Sequence, residues 1–455
     1  MASYLAAMIP TLAAIRFGTG LAPDIAPPAG ADDLLQALSG PDQMALIVPL
    51  PGWAPRMADL QEIARLRRAL RDDRSLMDEF DTARQGMNRA YYRDLAATLQ
   101  RAAITRDGFR ERLVWFWTGH FAITEGAGFL RRTVGGYVEE AIRPHVGGTF
   151  ASMLRSAVKH PAMLNFLDQV RSAGPGSPRG RRGGGMNENL AREVLELHTL
   201  GAGAKYTQTD VRQLAELMTG LTQDRVGAFK FQPNMAEPGA ETVLGRSYGG
   251  DDPSPRDVDA VLDDLAAHPA TARHVSRKLA RHFVSDAPPP EMVRAMTEVW
   301  ARSDGDLIAV YAAMLDHPAA WAADLSKVRQ PLDFVAAAIR ATGTATLLGA
   351  AAPADIRRRV ADPMARMGQP FLRPPSPDGW REDARAWVTP QGLASRLDWA
   401  MDAARLPDPI PDPRAFVDTA LGPLAGSRTR FAAQAAEDRA AGVGLVLAAP
   451  EFQRR

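Results

Sequence analysis

DGFRERLVWFWTGHF, residues 107–121, settles the fold class, because its apolar side chains return at three- and four-residue intervals and place Leu113, Phe116, Trp117 and His120 on one helix face. The same period continues outward in both directions. RMADLQEIARLRRAL (56–70), the run from Asp78 to Thr105, PRDVDAVLDDLAAH (255–268) and PATARHVSRKLARHFV (269–284) all repeat it. The expected fold is therefore all-α in the main, a large multi-helix, bundle-like body. Only Ala228 to Tyr248 reads as β, with FKF and ETVLGRSY on either side of QPNMAEPGA, which suits a small β-hairpin insertion with a long tip.

A helical chain of 455 residues can bury one extended core. The reading divides it into an N-terminal helical half (1–225) carrying the NENLARE helix, the hairpin insertion (226–254) and a C-terminal helical half (255–455) with a long Pro-rich loop (367–390), all on one continuous core. Hydrophobic residues at 46% and charged residues at 24% are globular values and exclude wholesale disorder or a fibrous repeat. A formal net charge of +1 gives no global reason to bind nucleic acid or an anionic membrane. The absence of cysteine removes disulfides, thiolate metal sites and cysteine nucleophiles together. Met1 to Ala14 is apolar, but no Lys or Arg precedes Arg16 and Pro10 interrupts the run, so no signal peptide is read. The expected location is cytoplasmic, the alternative being a periplasm reached through an exported partner. No window offers the roughly 18 uninterrupted apolar residues of a membrane span.

Irregular stretches punctuate the helices. Ser172 to Gly185 is rich in Gly, Pro, Ser and Arg, is expected to be mobile, and borders the helix that starts at Asn187. Asp286 to Pro290 is a proline stop. Gly368 to Trp387 is too long for a turn. His-Pro-Ala recurs at His160, His268 and His317, where proline at a first helical position makes each histidine a helix-to-helix junction.

The residues that carry chemistry cluster in three places. His120 shares the apolar face of its helix, so it is either a core histidine bonded to a carbonyl or carboxylate, or part of a site. After Met186, Asn189, Glu193 and Glu196 share one side of a helix with Arg192 at its edge, while His198 falls in the packing sector. That polar stripe suits an internal ion-pair network, a functional site that could include a divalent metal, or a solvated face. Asn187 or Asn189 also suits a helix cap. His274, Lys278 and His282 follow i, i+4, i+8 spacing, and about 12 Å of helix rise keeps the two histidines from chelating one ion. Lys278 is one of few lysines in a chain that overwhelmingly uses arginine, so packing and an acid–base role both stay open for it.

Nine segments together resemble the bacterial domain of unknown function 1800 family: AAIRFGTG (13–20), LVWFWTGHF (113–121), HPAMLNFLD (160–168), NENLAREVLELHTLG (187–201), YTQTDVRQLAELMTG (206–220), TVLGRSY (242–248), RKLARHFVSD (277–286), MGQPFLRPPSPDGW (367–380) and APEFQRR (449–455). The resemblance implies a large, mainly helical bacterial protein, often encoded beside a sulfatase-like family of unknown function numbered 1501. One departure stands out. The family pattern often has a histidine before Glu-Pro-Gly, where this chain has Ala236, so the hairpin tip is left out of the site.

Two function classes follow. In the first, an enzyme joins His120, Glu188, Glu193 and Arg192 as catalytic candidates, with Asn187, Asn189, Arg181, Arg182, Lys278 and His282 holding an anionic small molecule or peptide. In the second, a non-catalytic partner or scaffold uses the same residues as a buried network and binds the neighbouring sulfatase-like product. RNA binding by the Arg-Gly loop has no interleaved aromatics to support it, so no nucleic-acid partner is expected. An enzyme needs these groups to converge on a solvent-reachable pocket, whereas a structural network can be sealed.

Overall fold

The computed structural model describes residues 8–124 and 130–455, so part of the apolar N-terminal stretch, residues 1–7, lies outside the described residues. The helices that matter for the site begin with the long α1 (Met77–Ile104) and α2 (Gly108–His120). Asp107 starts α2 by accepting the Arg110 N–H at 3.0 Å, which satisfies one of the free amides of the first turn. A short α3 (Asn189–Glu193) runs on into a π-helical turn (Val194–Thr199), and α4 (Gln208–Leu217) opens with a Thr207–Asp210 capping box. Beyond the β segment come α5 (Pro255–Ala267), α6 (Pro269–Phe283), α7 (Pro290–Arg302) and α8 (Pro331–Thr342).

The three His-Pro-Ala sites are junctions with a physical cause. Each imidazole Nδ1 accepts the N–H two residues on, from Ala162, Ala270 and Ala319, at 3.1, 3.1 and 3.2 Å. Histidine thus serves as the cap and proline as the first helical residue.

Most apolar burial falls in two large clusters. The first gathers α2, α5, α6 and α7 around Trp117, Phe150, Phe283 and Trp300. The second joins α1 and α8 to Trp399, Phe416 and Val446. Each large side chain buried there stabilises the fold by about 1.5–3 kcal/mol. The polar tips are satisfied: Trp117 Nε1–H donates to the Tyr311 hydroxyl at 2.7 Å, and that hydroxyl donates to Val146 O.

The β content is small, but it extends beyond the expected Ala228 to Tyr248 at both ends and pairs differently. FKF (β2, Phe229–Phe231) pairs upstream with β1 (Leu221–Gln223), and the second hairpin, β3 (Gly239–Val243) with β4 (Arg246–Gly250), closes on itself. Leu244 and Gly245 both take positive φ, 51° and 79°, the requirement of a tight two-residue turn, so ETVLGRSY needs no distant partner.

The loop 172–185, expected to be loose, is tied at several points. Ala173 N–H donates to Gly185 O, Gly174 N–H to Met235 O, and Gly176 N–H to a Glu237 carboxylate oxygen at 2.7 Å. Asn187 N–H donates to Ser172 Oγ, so the loop does border the start of α3. Among the described residues no helix is long and apolar enough to cross a membrane.

Candidate functional site

The end of the π-helical turn leaves backbone carbonyls without helical donors. Two imidazoles take them. His120 Nε2–H donates to His198 O at 3.1 Å, and His274 Nε2–H donates to Leu197 O at 3.3 Å; a carbonyl only accepts, so both rings carry their proton on Nε2. Gly201 makes the second contact fit. It sits at φ 92°, and a Cβ there would lie 2.6 Å from His274 Nδ1.

This places α6 with His274, Lys278 and His282 facing the end of α2. The long Pro-rich loop covers the gap, because Gly379, at φ 88°, lies against the Gly119 backbone so closely that any Cβ would overlap Gly119 O. Between these elements lies a cleft of about 1490 Å³, including the space open to solvent. Its wall includes His120, His274, Lys278, His282, Asp378 and Glu382.

Lys278 is half-buried and has no hydrogen bond or ion pair among the described residues. Burial holds its ammonium below the usual lysine range, and Asp378 and Glu382 oppose that shift. Its charge in turn disfavours protonation of the nearby imidazoles. His274 is pushed down to about 4, first by burial and then by Lys278, and His120 falls well below the ordinary value for the same reasons. His274 is thus a neutral, half-buried ring whose Nδ1 lone pair is not engaged by a hydrogen.

His282 is different, since both of its nitrogens are occupied. Arg112, a donor only, gives Nη2–H to Nε2 at 3.2 Å, so Nδ1 carries the proton and donates it to Glu382 at 2.6 Å. Glu382 also accepts from Lys327 Nζ at 3.3 Å, and Lys327 is paired to Asp286 at 2.6 Å. Burial pushes His282 down to about 4 despite Glu382, and His282 and Lys327 hold the Glu382 carboxyl well below the usual range against its own burial. This row of charges braces the loop onto α6.

Of the residues singled out in the sequence, His120, Lys278 and His282 come together here. His120 is sealed, 1% exposed, at the back wall. Glu188, Arg192, Asn187, Asn189, Arg181 and Arg182 do not line the cleft. Glu188 and Arg192 close on each other at 3.2 Å and on Gln208, an i, i+4 pair half open to solvent. Asn187 Oδ1 accepts Asn189 N–H, a helix-start contact, and Arg181 and Arg182 are exposed. Glu193 does not line the cleft either; burial raises its carboxyl, with Glu196 and Asp378 adding to the effect. Among the described residues no three His, Cys, Asp or Glu side chains are grouped to hold a metal ion.

Asp378, Trp380, Glu382, Arg112 and Lys327 were not singled out in the sequence as site residues. The available signal was the length of the loop MGQPFLRPPSPDGW, which outruns any turn. No curated protein and no solved structure matches this chain. The family model described as "Protein of unknown function (DUF1800)" matches residues 13–454, nearly the whole chain, and the protein belongs to that family.

Proposed function

We propose that the cleft is the active site of an enzyme acting on an anionic substrate, which Lys278 binds and His274 serves as proton acceptor. The observation that carries this reading is the Lys278 ammonium, half-buried in an open cleft without a partner among the described residues, where it would gain a charge-assisted bond from an arriving anion. Arg277 and Arg281 stand on the same wall and favour the approach of negative charge. The His274 ring beside Lys278 is neutral at neutral pH and so can accept a proton, and an arriving anion would strengthen it as a base. The braced His282–Glu382 pair acts as a positioning device, because neither His282 nitrogen is free to exchange a proton with substrate. Reading the chain as a scaffold for a sulfatase-like partner rests on the family resemblance alone.

The test is calorimetric titration with inorganic phosphate and, separately, inorganic sulfate. Saturable binding to the wild-type chain, weakened about 10- to 150-fold by Lys278→Met, is the expected result, the worth of one charged hydrogen bond of about 1.5–3 kcal/mol. Binding of either anion by the folded variant as tight as by the wild type, or no saturable binding by the wild type, would overturn the proposal.

A further inference from the structure

Behind the cleft lies a second, narrower cavity, separated from it by Trp115, Gly119, His282, Gln330 and Trp380, which line both. It contains about 1070 Å³ of space counted to its open side. Its walls are largely apolar, with Trp115, Met364, Phe371, Leu372 and Trp380 among them. Charged groups line it too, but most are neutralised in place. Asp94 is paired with Arg56 at 2.6 Å, Glu139 with Arg101 at 2.7 Å and Glu111 with Arg143 at 2.5 Å.

The exception is the Asp333 corner. One buried carboxylate is shared there by three arginines, Arg112 at 3.0 Å, Arg329 at 2.8 Å and Arg455 at 3.2 Å. The nearest further carboxylate in this row, Glu382, is already taken by His282 and Lys327. Arg112 and Arg455, both 1% exposed, line the cavity, and Arg112 Nε, Arg455 Nε and Arg455 Nη1 have no hydrogen-bond acceptor among the described residues. The contact of Arg455 with Asp333 is thus an ion pair by distance without hydrogen-bond geometry. Trp115 Nε1 and Thr118 Oγ1, which also line the cavity, are buried without partners among the described residues. Leaving such groups unmade is costly, about 1–3 kcal/mol each and more for a charged one. Crowding by burial and by Arg455 already pushes Arg112 down to about 9, so the corner is short of negative charge.

We propose that this cavity is a binding site for a small aromatic carboxylate, its ring against Trp115, Phe371 and Trp380 and its carboxylate held by the surplus positive charge of the Arg112, Arg329 and Arg455 corner. One negative charge fits and a second does not, since Asp94, Glu111 and Glu139 line the remaining polar wall. A single ring suits the narrow space. The site does not depend on the reading of the Lys278 cleft.

Benzoate and its neutral isostere benzamide are the probes, titrated into the full chain by calorimetry and by the fluorescence of Trp115 and Trp380. Benzoate should bind saturably and at least about 10-fold more tightly than benzamide, the value of one charge-assisted pair. Leu372→Trp, which fills the cavity, should abolish binding, and Arg455→Gln should weaken it by a similar factor of about 10. Lys278→Met, which disables the cleft, should leave benzoate binding intact. Should Arg455→Gln fail to fold, the comparison of benzoate with benzamide on the wild-type chain still decides. Equal affinity for the two probes, benzoate binding that survives Leu372→Trp or is lost in Lys278→Met, or no saturable binding at all would each overturn the proposal.

Discussion

Glu382→Gln removes one charge while keeping shape, and it tests whether the Pro-rich loop is braced as described. The carboxylate accepts from His282 Nδ1 at 2.6 Å and from Lys327 Nζ at 3.3 Å, both nearly buried donors. The two donors use different carboxylate oxygens and a glutamine offers only one, so the bond from His282 falls from the charge-assisted to the ordinary class, a loss of about 1 kcal/mol, and the longer one from Lys327 is lost against the amide NH2, about 1 kcal/mol more. Lys327 keeps Asp286, so the net expected cost is about 2 kcal/mol, or about 30-fold in local opening. A global melt is a poor assay. Unfolding entropy of about 2 cal/mol/K per residue over a chain this long means that 2 kcal/mol shifts Tm by only about 2 °C. Native-state hydrogen exchange reads the loop directly. The Ala384 amide, which donates to Asp286 at 3.0 Å, should exchange about 30-fold faster in the variant. Amides in α2 should not change. A change of less than about 3-fold at residues 376–388 would refute the bracing argument.

Other outcomes follow from the same geometry. Gly379→Ala should lift the loop from α2, because the new Cβ overlaps Gly119 O at a φ of 88°; exchange at Gly119 and His120 should rise, and unchanged protection there would count against the close approach. Gly201→Ala, at φ 92° and against His274 Nδ1, should destabilise by about 1–3 kcal/mol in denaturant titration and shift the His274 ring resonances, whereas an unperturbed ring would contradict the packing. Acid should destabilise the fold through its histidines. His274 and His282 are pushed down to about 4, His198 to about 3 and His120 well below its ordinary 6.5, in each case first by burial. For each, the unfolded chain binds the extra proton, so stability is whole above pH 6.5 and falls as pH drops toward 4, by about 1.4 kcal/mol per pH unit per proton. Glu241, raised to about 7 by burial and then by Glu216 and Glu237, works in the opposite sense: its contribution is present below 4.5 and lost as pH rises through 7. Potentiometry at pH 5.5 should therefore register an uptake of about three protons on unfolding, and less than one would refute the assignment.

The sequence made the local features readable and left the long-range ones hidden. The period of α2 and the His-Pro-Ala junctions are decided within a turn or two of chain, and each reading matches the structure. The stripe of His274, Lys278 and His282 was visible as a stripe. Whether it met packed neighbours or a gap depends on Asp378 and Glu382, about a hundred residues later, and no periodicity encodes that meeting. Glu188 and Arg192 looked like site residues because charges at i, i+4 do not announce whether they serve a ligand or each other; here they pair. FKF pairs upstream because the Leu244–Gly245 turn lets ETVLGRSY fold on itself, a choice set by two backbone angles.

The claim that Lys278 is an anion-binding ammonium is tested most directly by NMR of the lysine side chains. With only five lysines in the chain, the Lys278 signal can be assigned by its loss in Lys278→Met. Lys278 should titrate below 10.5 in the free protein, where burial disfavours its charge, and inorganic phosphate should raise that value by supplying the missing partner. A Lys278 that titrates at or above 10.5 and does not respond to phosphate or sulfate would contradict the account.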